Sequence, residues 1–375
     1  MSVRRYLAML VSGALLLAGC ASEDEGSEAD DQATPPTSED TEGEEAGAAP
    51  AADLCDPSEP RHLEISTATI GFLYVPFYVA DGAGFLEDRG ITYDRLVSAE
   101  GNTPALLSGD SDIIEAAFTT TFALRNEGRD VVAIGSYVTD FASNVVVKSA
   151  ALEERGIDVE SATFEERAGA LEGLRIGVTS PGLGPDVLVR GILQEVGLDP
   201  DHDAQIVSLG DGGSMLSAFE QNRIDAFSLS SPTATTAIRE FDGEMLFNPT
   251  LGHYPTVDDI LYVALLTRES WLEDDDNREL AGCFLQAIDE ALKLIDEDPD
   301  RALELARDAF DDIDEDVYRQ AFDESVNGYP TSVAVETRNA EIAYEFDQQF
   351  RSVEGELDDH IDNSVYEEYV ARSDS

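Results

Sequence analysis

Small, hydroxyl-bearing and aromatic residues follow the predicted strands, at points where a small molecule could be bound. Hydroxyl and amide groups donate and accept hydrogen bonds without net charge, and glycine lets backbone N–H groups approach a solute. The candidate contacts are Phe72, Tyr74, Asn102, Thr119, Thr120, Asn144, Ser180, Gly182, Ser230 and Ser231. Ligands of open α/β sheets bind beyond the carboxyl ends of the strands, so this distribution predicts reversible capture of a small solute.

Each candidate also has a structural interpretation that the sequence leaves open. The two aromatic residues could belong to the core beneath the first helix, the threonines could cap a helix, and the asparagines could lie in surface loops. Ser180 and Gly182 could form a plain strand-to-helix turn. They precede Pro185, which suits a first helical turn. Asp186 in that turn can complement the helix dipole itself, which weakens the argument for an anion site there.

Residue patterns typical of enzymes and metal sites are missing from the sequence. The four histidines, His62, His202, His253 and His360, show no metal-ligand spacing to one another or to a cysteine. There is no G-x-S-x-G nucleophile motif, and the glycine-rich stretch at 210–214 is not followed by a phosphate-loop lysine. We therefore expect a protein that is not an enzyme and that holds no metal or cofactor.

The elements that position the candidate residues alternate between strands and helices. Alternating and β-branched segments predict strands at 62–70, 91–97, 112–118, 131–137, 144–147, 174–178, 205–209, 224–229 and 261–266. Apolar residues at helical spacing predict helices after the first strand, at 185–196, at 215–221 and from about residue 279 onward. Two such series in succession predict an α/β fold with two Rossmann-like lobes and mainly parallel sheets.

The N-terminus has the composition of an export signal. Arg4 and Arg5 precede an apolar run, from Tyr6 to Leu17, that is too short to span a bilayer as a stable helix. The run ends in Leu-Ala-Gly-Cys, which resembles a bacterial lipobox and implies a signal peptide at 1–19 and lipid attachment to Cys20. The alternative is an ordinary cleaved signal with a chance cysteine. A lipid-anchored protein would stay at the outer face of the cell membrane.

Charge and composition divide the rest of the chain. Residues 20–54 are predicted to be the lipidated cysteine and a disordered acidic linker, because 21–52 contain no basic residue and little to bury. The folded part is predicted to comprise lobe 1 at 55–143, lobe 2 at 144–268 and C-terminal helices at 269–375 that return to lobe 1. With 79 acidic against 23 basic residues, the chain is not expected to bind nucleic acid.

Two cysteines, Cys55 and Cys283, remain once Cys20 is set aside. In an oxidising exterior they could form a disulfide that ties the start of the folded part to a C-terminal helix. Two separate buried thiols are the alternative.

Four stretches, taken in order, resemble the nitrate/sulfonate/bicarbonate/taurine-type solute-binding proteins, which include the NMT1/THI5-like group. They are 76–80 with 84–86, 106–113, 171–182, and 218–227 with Ser231-Pro232, and the resemblance extends over about residues 62–350. It implies a type II periplasmic-binding-protein fold, with two Rossmann-like lobes and a ligand cleft between them. The cysteine-rich motif of the THI5 branch is absent, so no catalytic role is carried over.

The resemblance also implies a function and partners. The protein would be a monomer that captures a small organic or oxyanionic solute, nitrate/sulfonate/taurine-like or pyrimidine-like, by hinged lobe closure. It would deliver that solute to an ABC permease with its ATPase. A ligand-sensing partner of a membrane receptor is the alternative, and an enzyme on the same fold would need an acid, base or nucleophile that the sequence does not offer.

Overall fold

The computed structural model describes residues 55–98 and 102–372. The predicted signal peptide at 1–19, the lipid attachment at Cys20 and the linker at 20–54 lie outside the described residues. No helix within the described ranges combines the length and apolar character that crossing a bilayer requires.

Ten strands form two sheets of five, and the two sheets have the same arrangement. The strands are β1 Arg61–Thr67, β2 Ile91–Val97, β3 Ile113–Ala117, β4 Val131–Val138, β5 Asn144–Lys148, β6 Arg175–Val178, β7 Gln205–Ser208, β8 Ala226–Leu229, β9 Gly243–Phe247 and β10 Val263–Arg268. The first sheet has the order β2-β1-β3-β10-β4 and the second β7-β6-β8-β5-β9. The first three strands in each order are parallel, and the fourth is antiparallel to both of its neighbours.

The position of β10 corrects the predicted end of the second lobe. The sequence prediction assigned residues up to 268 to lobe 2, but β10 pairs with β3 and β4 of the first sheet. Hydrogen bonding to distant strands decides this assignment, whereas the apolar pattern of the segment shows only that it is a buried strand. The edge strand β9 was not predicted.

Thirteen α-helices occur among the described residues, eight of them between strands and five after β10. They are α1 Val75–Gly82, α2 Asn102–Ser108, α3 Thr119–Asn126, α4 Ser149–Arg155, α5 Phe164–Gly169, α6 Gly184–Glu195, α7 Gly212–Glu220, α8 Thr233–Glu240, α9 Glu269–Leu272, α10 Asp275–Glu297, α11 Pro299–Ala306, α12 Glu315–Asp323 and α13 Thr337–Asp347. Local sequence explains several of their starts. Asp274 caps α10 by accepting hydrogen bonds from the backbone of the first turn, and Pro185 lies in the first turn of α6.

The C-terminal helices pack against the first lobe through the long helix α10. Its apolar stripe, which includes Phe284, Ile288 and Leu292, is fully buried in one core with Leu63 and Ile65 of β1. Burial of such side chains stabilises the lobe by roughly 1.5–3 kcal/mol for each large apolar residue. The C-terminal segment thus returns to the first lobe, where α10 packs against β1.

A disulfide joins Cys55 to Cys283 on α10, with Cα atoms 5.8 Å apart. This separation lies within the range of ordinary disulfides, roughly 4.4–6.8 Å. Of the two alternatives that the sequence left open, the structure therefore contains the disulfide. The bond fixes the first described residue of the chain to the helix that covers the first sheet.

Candidate functional site: the cleft between the lobes

Residues that follow strands of both sheets line a small cavity at the two chain crossings. Thr119 follows β3 of the first sheet, and Gly182 and Gly184 follow β6 of the second. Phe141 and Tyr262 come from the segments that connect the sheets, and their rings pack with centroids 4.4 Å apart. The cavity measures about 30 Å³, room for one or two water molecules. The two lobes therefore lie close together at this point.

Gly184 allows this close approach between the second lobe and the crossing segment. A Cβ atom at this position would lie 2.4 Å from the hydroxyl oxygen of Tyr262, far inside van der Waals contact. The Tyr262 hydroxyl also contacts the Ser143 hydroxyl at 3.2 Å, in the other crossing segment. Tyr262 thus touches both the second lobe and the hinge, although the sequence prediction did not select it.

A second contact region lies where β1, β4 and β8 end. Phe72, Val138 and Ser230 line a gap of about 10 Å³ together with residues after α12. Beside this gap, the Asn144 amide nitrogen lies 3.4 Å from the Ser231 hydroxyl oxygen. Ser231 Oγ in turn donates to the carboxylate of Glu324, at 3.1 Å. Glu324 follows α12, so this hydrogen bond runs between the lobes.

The structure brings some of the predicted contacts together and separates others. Thr119 shares the first cavity with Gly182, Phe72 shares the second gap with Ser230, and Asn144 meets Ser231. Thr120 and Ser180 line neither of these two spaces. The Ser180 carbonyl oxygen accepts a hydrogen bond from the Leu183 backbone at 3.3 Å, within the turn before α6.

The aromatic candidates are mainly core residues of the first lobe. Phe72 is 1% exposed and stacks on Phe310 with ring centroids 4.7 Å apart. Its carbonyl oxygen accepts a hydrogen bond from the Tyr329 hydroxyl. Tyr74 is also buried, and burial raises the pKa of its hydroxyl well above the ordinary range. Both rings hold the segment after β1 in place.

Asn102 serves a structural purpose within the first lobe. Its Oδ1 accepts from the Ser66 hydroxyl at 2.8 Å, and its Nδ2 donates to the Glu115 carbonyl oxygen at 3.0 Å. Both ends of the buried amide are therefore engaged by β1 and β3, so we do not retain Asn102 as a solute contact. The surface-loop alternative is also wrong, because the side chain is 5% exposed.

Comparison with known proteins assigns the family. The model of the NMT1-like family matches residues 56–308, which is more than half of the chain. This chain belongs to the NMT1-like family. The protein YtlA of Bacillus subtilis (strain 168) is 23% identical over 304 residues, which cover 80% of this chain and 85% of YtlA.

Two solved structures show the fold of this NMT1-like protein. The ligand-binding component of an ABC-type import system from Staphylococcus aureus is 14% identical and gives a TM-score of 0.66 over 82% of this chain and 99% of its own. The periplasmic aliphatic sulphonate binding protein SsuA from Escherichia coli is 18% identical, with a TM-score of 0.61 over 80% of this chain and 92% of its own. The predicted two-lobed α/β fold of periplasmic binding proteins is thereby confirmed.

A buried ion pair lies beneath the strand ends of the first lobe. Glu115 on β3 is fully buried and pairs with Arg95, which is 9% exposed. The same carboxylate accepts from the Tyr137 hydroxyl at 2.7 Å. The Arg95 guanidinium packs over the rings of Phe77 and Tyr78, at 4.2 and 4.7 Å from their centroids. The sequence signal of this cluster was Glu115, a carboxylate among the apolar residues 113–118 of the predicted strand at 112–118.

An acidic group joins the two crossing segments of the hinge. Asp140 follows β4 and accepts from the backbone N–H of Asp259 at 3.3 Å, in the segment that precedes β10. Burial, together with the nearby carboxylates of Asp258 and Asp259, raises the pKa of Asp140 to about 7. The folded protein thus binds a proton here at a pH where the unfolded carboxyl group has lost it.

We expect Asp140→Asn to flatten the pH dependence of stability. Because the folded-state pKa is raised from the ordinary value of 3.8 to about 7, this group reduces stability progressively as pH rises between these two values, and the loss is complete above about pH 7. The amide carries no proton equilibrium in this range. The variant should therefore unfold at a higher temperature than wild type at about pH 8. The difference in unfolding temperature should be smaller at about pH 5. Asp323→Asn, an exposed change of equal charge, is the control; an equal gain there would contradict the prediction.

Three side chains on the paired strands β1 and β2 could hold a metal ion. His62, Glu64 and Asp94 each place a ligand atom within 4.8 Å of the others. His62 Nδ1 lies 3.1 Å from the Thr92 hydroxyl, which leaves Nε2 facing the two carboxylates. The trio is spread over two paired strands, so the spacing in the sequence does not reveal it. Glu64 and Asp94 are paired at the middle of β1 and β2, and His62 lies near the start of β1, so the trio stands before the strand ends that face the cleft.

Proposed function

We propose that this protein is the extracytoplasmic solute-binding subunit of an ABC importer. It binds a small solute between its two lobes, in the cleft at the strand ends, and delivers it to a permease and its ATPase as a monomer. The related fold of the Escherichia coli sulphonate-binding protein and of the Staphylococcus aureus import component supports this proposal. The pattern at 17–20 supports attachment to the outer face of the membrane through Cys20.

The proposal rests on one observation: residues from both sheets and from both crossing segments line the same cavity. Thr119, Gly182 and Tyr262 belong to the first lobe, the second lobe and a crossing segment, and all three line it. A hinge at the crossings would enlarge this space to admit a solute, and closure would then remove the solute from water. Hydroxyl groups and backbone N–H groups would fix its orientation without any chemical step.

The test uses thermal unfolding of the full chain in the presence of a panel of sulfonates, nitrate, bicarbonate and pyrimidines. A solute that binds only the folded state stabilises it by about 2.7 kcal/mol at a concentration 100 times its Kd. We expect at least one member of the panel to raise the unfolding temperature. If no member does so, capture of a nitrate-like, sulfonate-like or pyrimidine-like solute is contradicted.

Gly184→Ala should weaken the binding of that solute at least about tenfold, which corresponds to 1.4 kcal/mol. The added methyl group displaces the Tyr262 hydroxyl and keeps the lobes from closing to the same separation. Gly169→Ala is the matched control, because a Cβ there meets nothing within 4 Å. Affinity is measured by isothermal titration, and equal affinities of the two variants would place the solute elsewhere.

A further inference from the structure

A carboxylate of the first lobe extends across the cleft to the strand ends of the second. Glu324 directly follows α12, whose buried residues Tyr318 and Phe322 belong to the core of the first lobe. Tyr318 lies beside Phe72, with ring centroids 5.6 Å apart. The helix therefore anchors Glu324 to the first lobe next to one of the cleft segments.

The side chain of Glu324 binds hydroxyl groups of the second lobe. Its Oε2 accepts from Thr235 Oγ1 at 2.6 Å and from Ser231 Oγ at 3.1 Å. Both hydroxyl-bearing residues are almost completely buried, at 0% and 2% exposure. Its backbone carbonyl oxygen accepts from Thr250 Oγ1 at 2.7 Å and from Asn248 Nδ2 at 3.3 Å. One residue of the first lobe thus receives four hydrogen bonds from beyond β8 and β9.

Ser231 is one of the solute contacts predicted from the sequence, and the carboxylate 3.1 Å away makes its surroundings negative. A hydroxyl that donates to a carboxylate presents its lone pairs, not its hydrogen, to anything else in the cleft. An oxyanion at Ser231 would lose that donor and would also face the negative charge of Glu324. Ser231 Oγ also lies 3.4 Å from the Asn144 amide nitrogen, and Glu324 Oε1 accepts from Gln320 Nε2 at 2.9 Å. The carboxylate therefore acts on a solute mainly through its negative charge, which favours an uncharged or cationic group.

Arginines close to the strand ends do not offset this negative charge, because carboxylates already engage them. Arg95 pairs with Glu115, and Arg190 with both Asp186 and Asp201. Arg351, which lines the first cavity, lies 2.8 Å from Asp347 and donates to the Gly182 carbonyl oxygen at 3.1 Å. These three guanidinium groups, which belong to the described part of the chain, are held by acidic partners.

We propose that Glu324 makes the cleft selective against anions, so that the solute is uncharged or cationic where it meets Ser231. This inference rests on the proposed function and narrows it. It separates this chain from the sulphonate-binding protein that shares its fold, since a sulfonate would place an anionic group in an acidic cleft. Glu324 is here a specificity-determining residue, and it acts through the negative charge that it holds beside Ser231.

The experiment compares wild type with Glu324→Gln in the full chain, with probes of defined charge. The anionic probes are ethanesulfonate and nitrate, and the others are an uncharged aminopyrimidine, ethanolamine and choline. The amide keeps the shape of the side chain and can still accept from the two hydroxyls while it removes the charge. Glu341→Gln, an exposed position on α13, makes the same change of charge outside the cleft. Binding is measured by titration calorimetry and by the shift in unfolding temperature.

We expect wild type to bind an uncharged or cationic probe and neither anion, and Glu324→Gln to gain at least about tenfold in affinity for an anion. Glu341→Gln should behave as wild type. Tight binding of ethanesulfonate or nitrate by wild type, unchanged in Glu324→Gln, would overturn the charge selectivity and leave solute capture standing. Failure of every probe with both folded proteins would overturn both proposals, because removal of the carboxylate would then have opened no anion site.

Discussion

Glu115→Ala is expected to lower the free energy of unfolding by about 3–5 kcal/mol, the range found when one partner of a buried ion pair is removed. Arg95 would remain 9% exposed without the carboxylate that neutralises it. The Tyr137 hydroxyl would lose its acceptor as well, and an unsatisfied buried donor adds roughly 1–3 kcal/mol at most. Denaturant-induced unfolding, followed by circular dichroism, measures the loss.

Two control variants test whether the loss of stability comes from the burial of this ion pair or would follow the removal of any ion pair. Glu115→Gln keeps the volume and an acceptor for Tyr137, so it should lose less than the alanine variant but still leave Arg95 unneutralised. Asp316→Ala removes an exposed pair with Arg239, whose members are 76% and 37% exposed, and should cost no more than about 1 kcal/mol. A similar loss in Asp316→Ala and Glu115→Ala would show that burial of the pair is not the cause.

Removal of the disulfide should produce a loss of comparable size. We expect the double variant Cys55→Ala, Cys283→Ala to be less stable by about 2–5 kcal/mol, because the bond restricts the unfolded chain over a long loop. The two cysteines are separated by 228 residues. The measurement is the unfolding temperature of the wild-type and variant chains without reductant.

Reduction provides the internal control for this prediction. A thiol reductant should lower the unfolding temperature of wild type toward that of the double variant and leave the double variant unchanged. The ion pair between Arg61 and Glu279, at 2.9 Å, joins the same two segments and persists in both proteins. If wild type were as stable in reductant as without it, the disulfide would contribute nothing to stability.

The sequence predicted the class of fold because its signals are local. Alternation of β-branched residues identified nine of the ten strands, and the two successive series of strands and helices indicated two lobes. The edge strand β9 was not predicted, and its segment Gly-Glu-Met-Leu-Phe contains no β-branched residue. The strand β10 was recognised as a strand but placed in the wrong lobe. Hydrophobic periodicity in the sequence indicates a strand but does not show which distant strand it pairs with.

The candidate site was predictable to a smaller extent. Strand ends are readable from the sequence, and this placed Thr119, Gly182 and Ser231 in the cleft region. Glu324 and Tyr262 were not predicted because the residues that they contact are distant in the sequence. No local pattern distinguishes Glu324 from other acidic residues. Asn102 was selected for its residue type, yet tertiary packing directs both ends of its amide into the first lobe.

The place of β10 between β3 and β4 has a consequence for folding of the chain. All strands of the second sheet come from residues 144–247, so they can pair before the first sheet is complete. Until residues 263–268 join the first sheet, β3 lacks the partner at one of its edges and β4 has no neighbouring strand. Unpaired edges of this kind invite association with other chains. Chains shortened before β10 are thus the ones most exposed to aggregation, although they contain every other strand of both sheets.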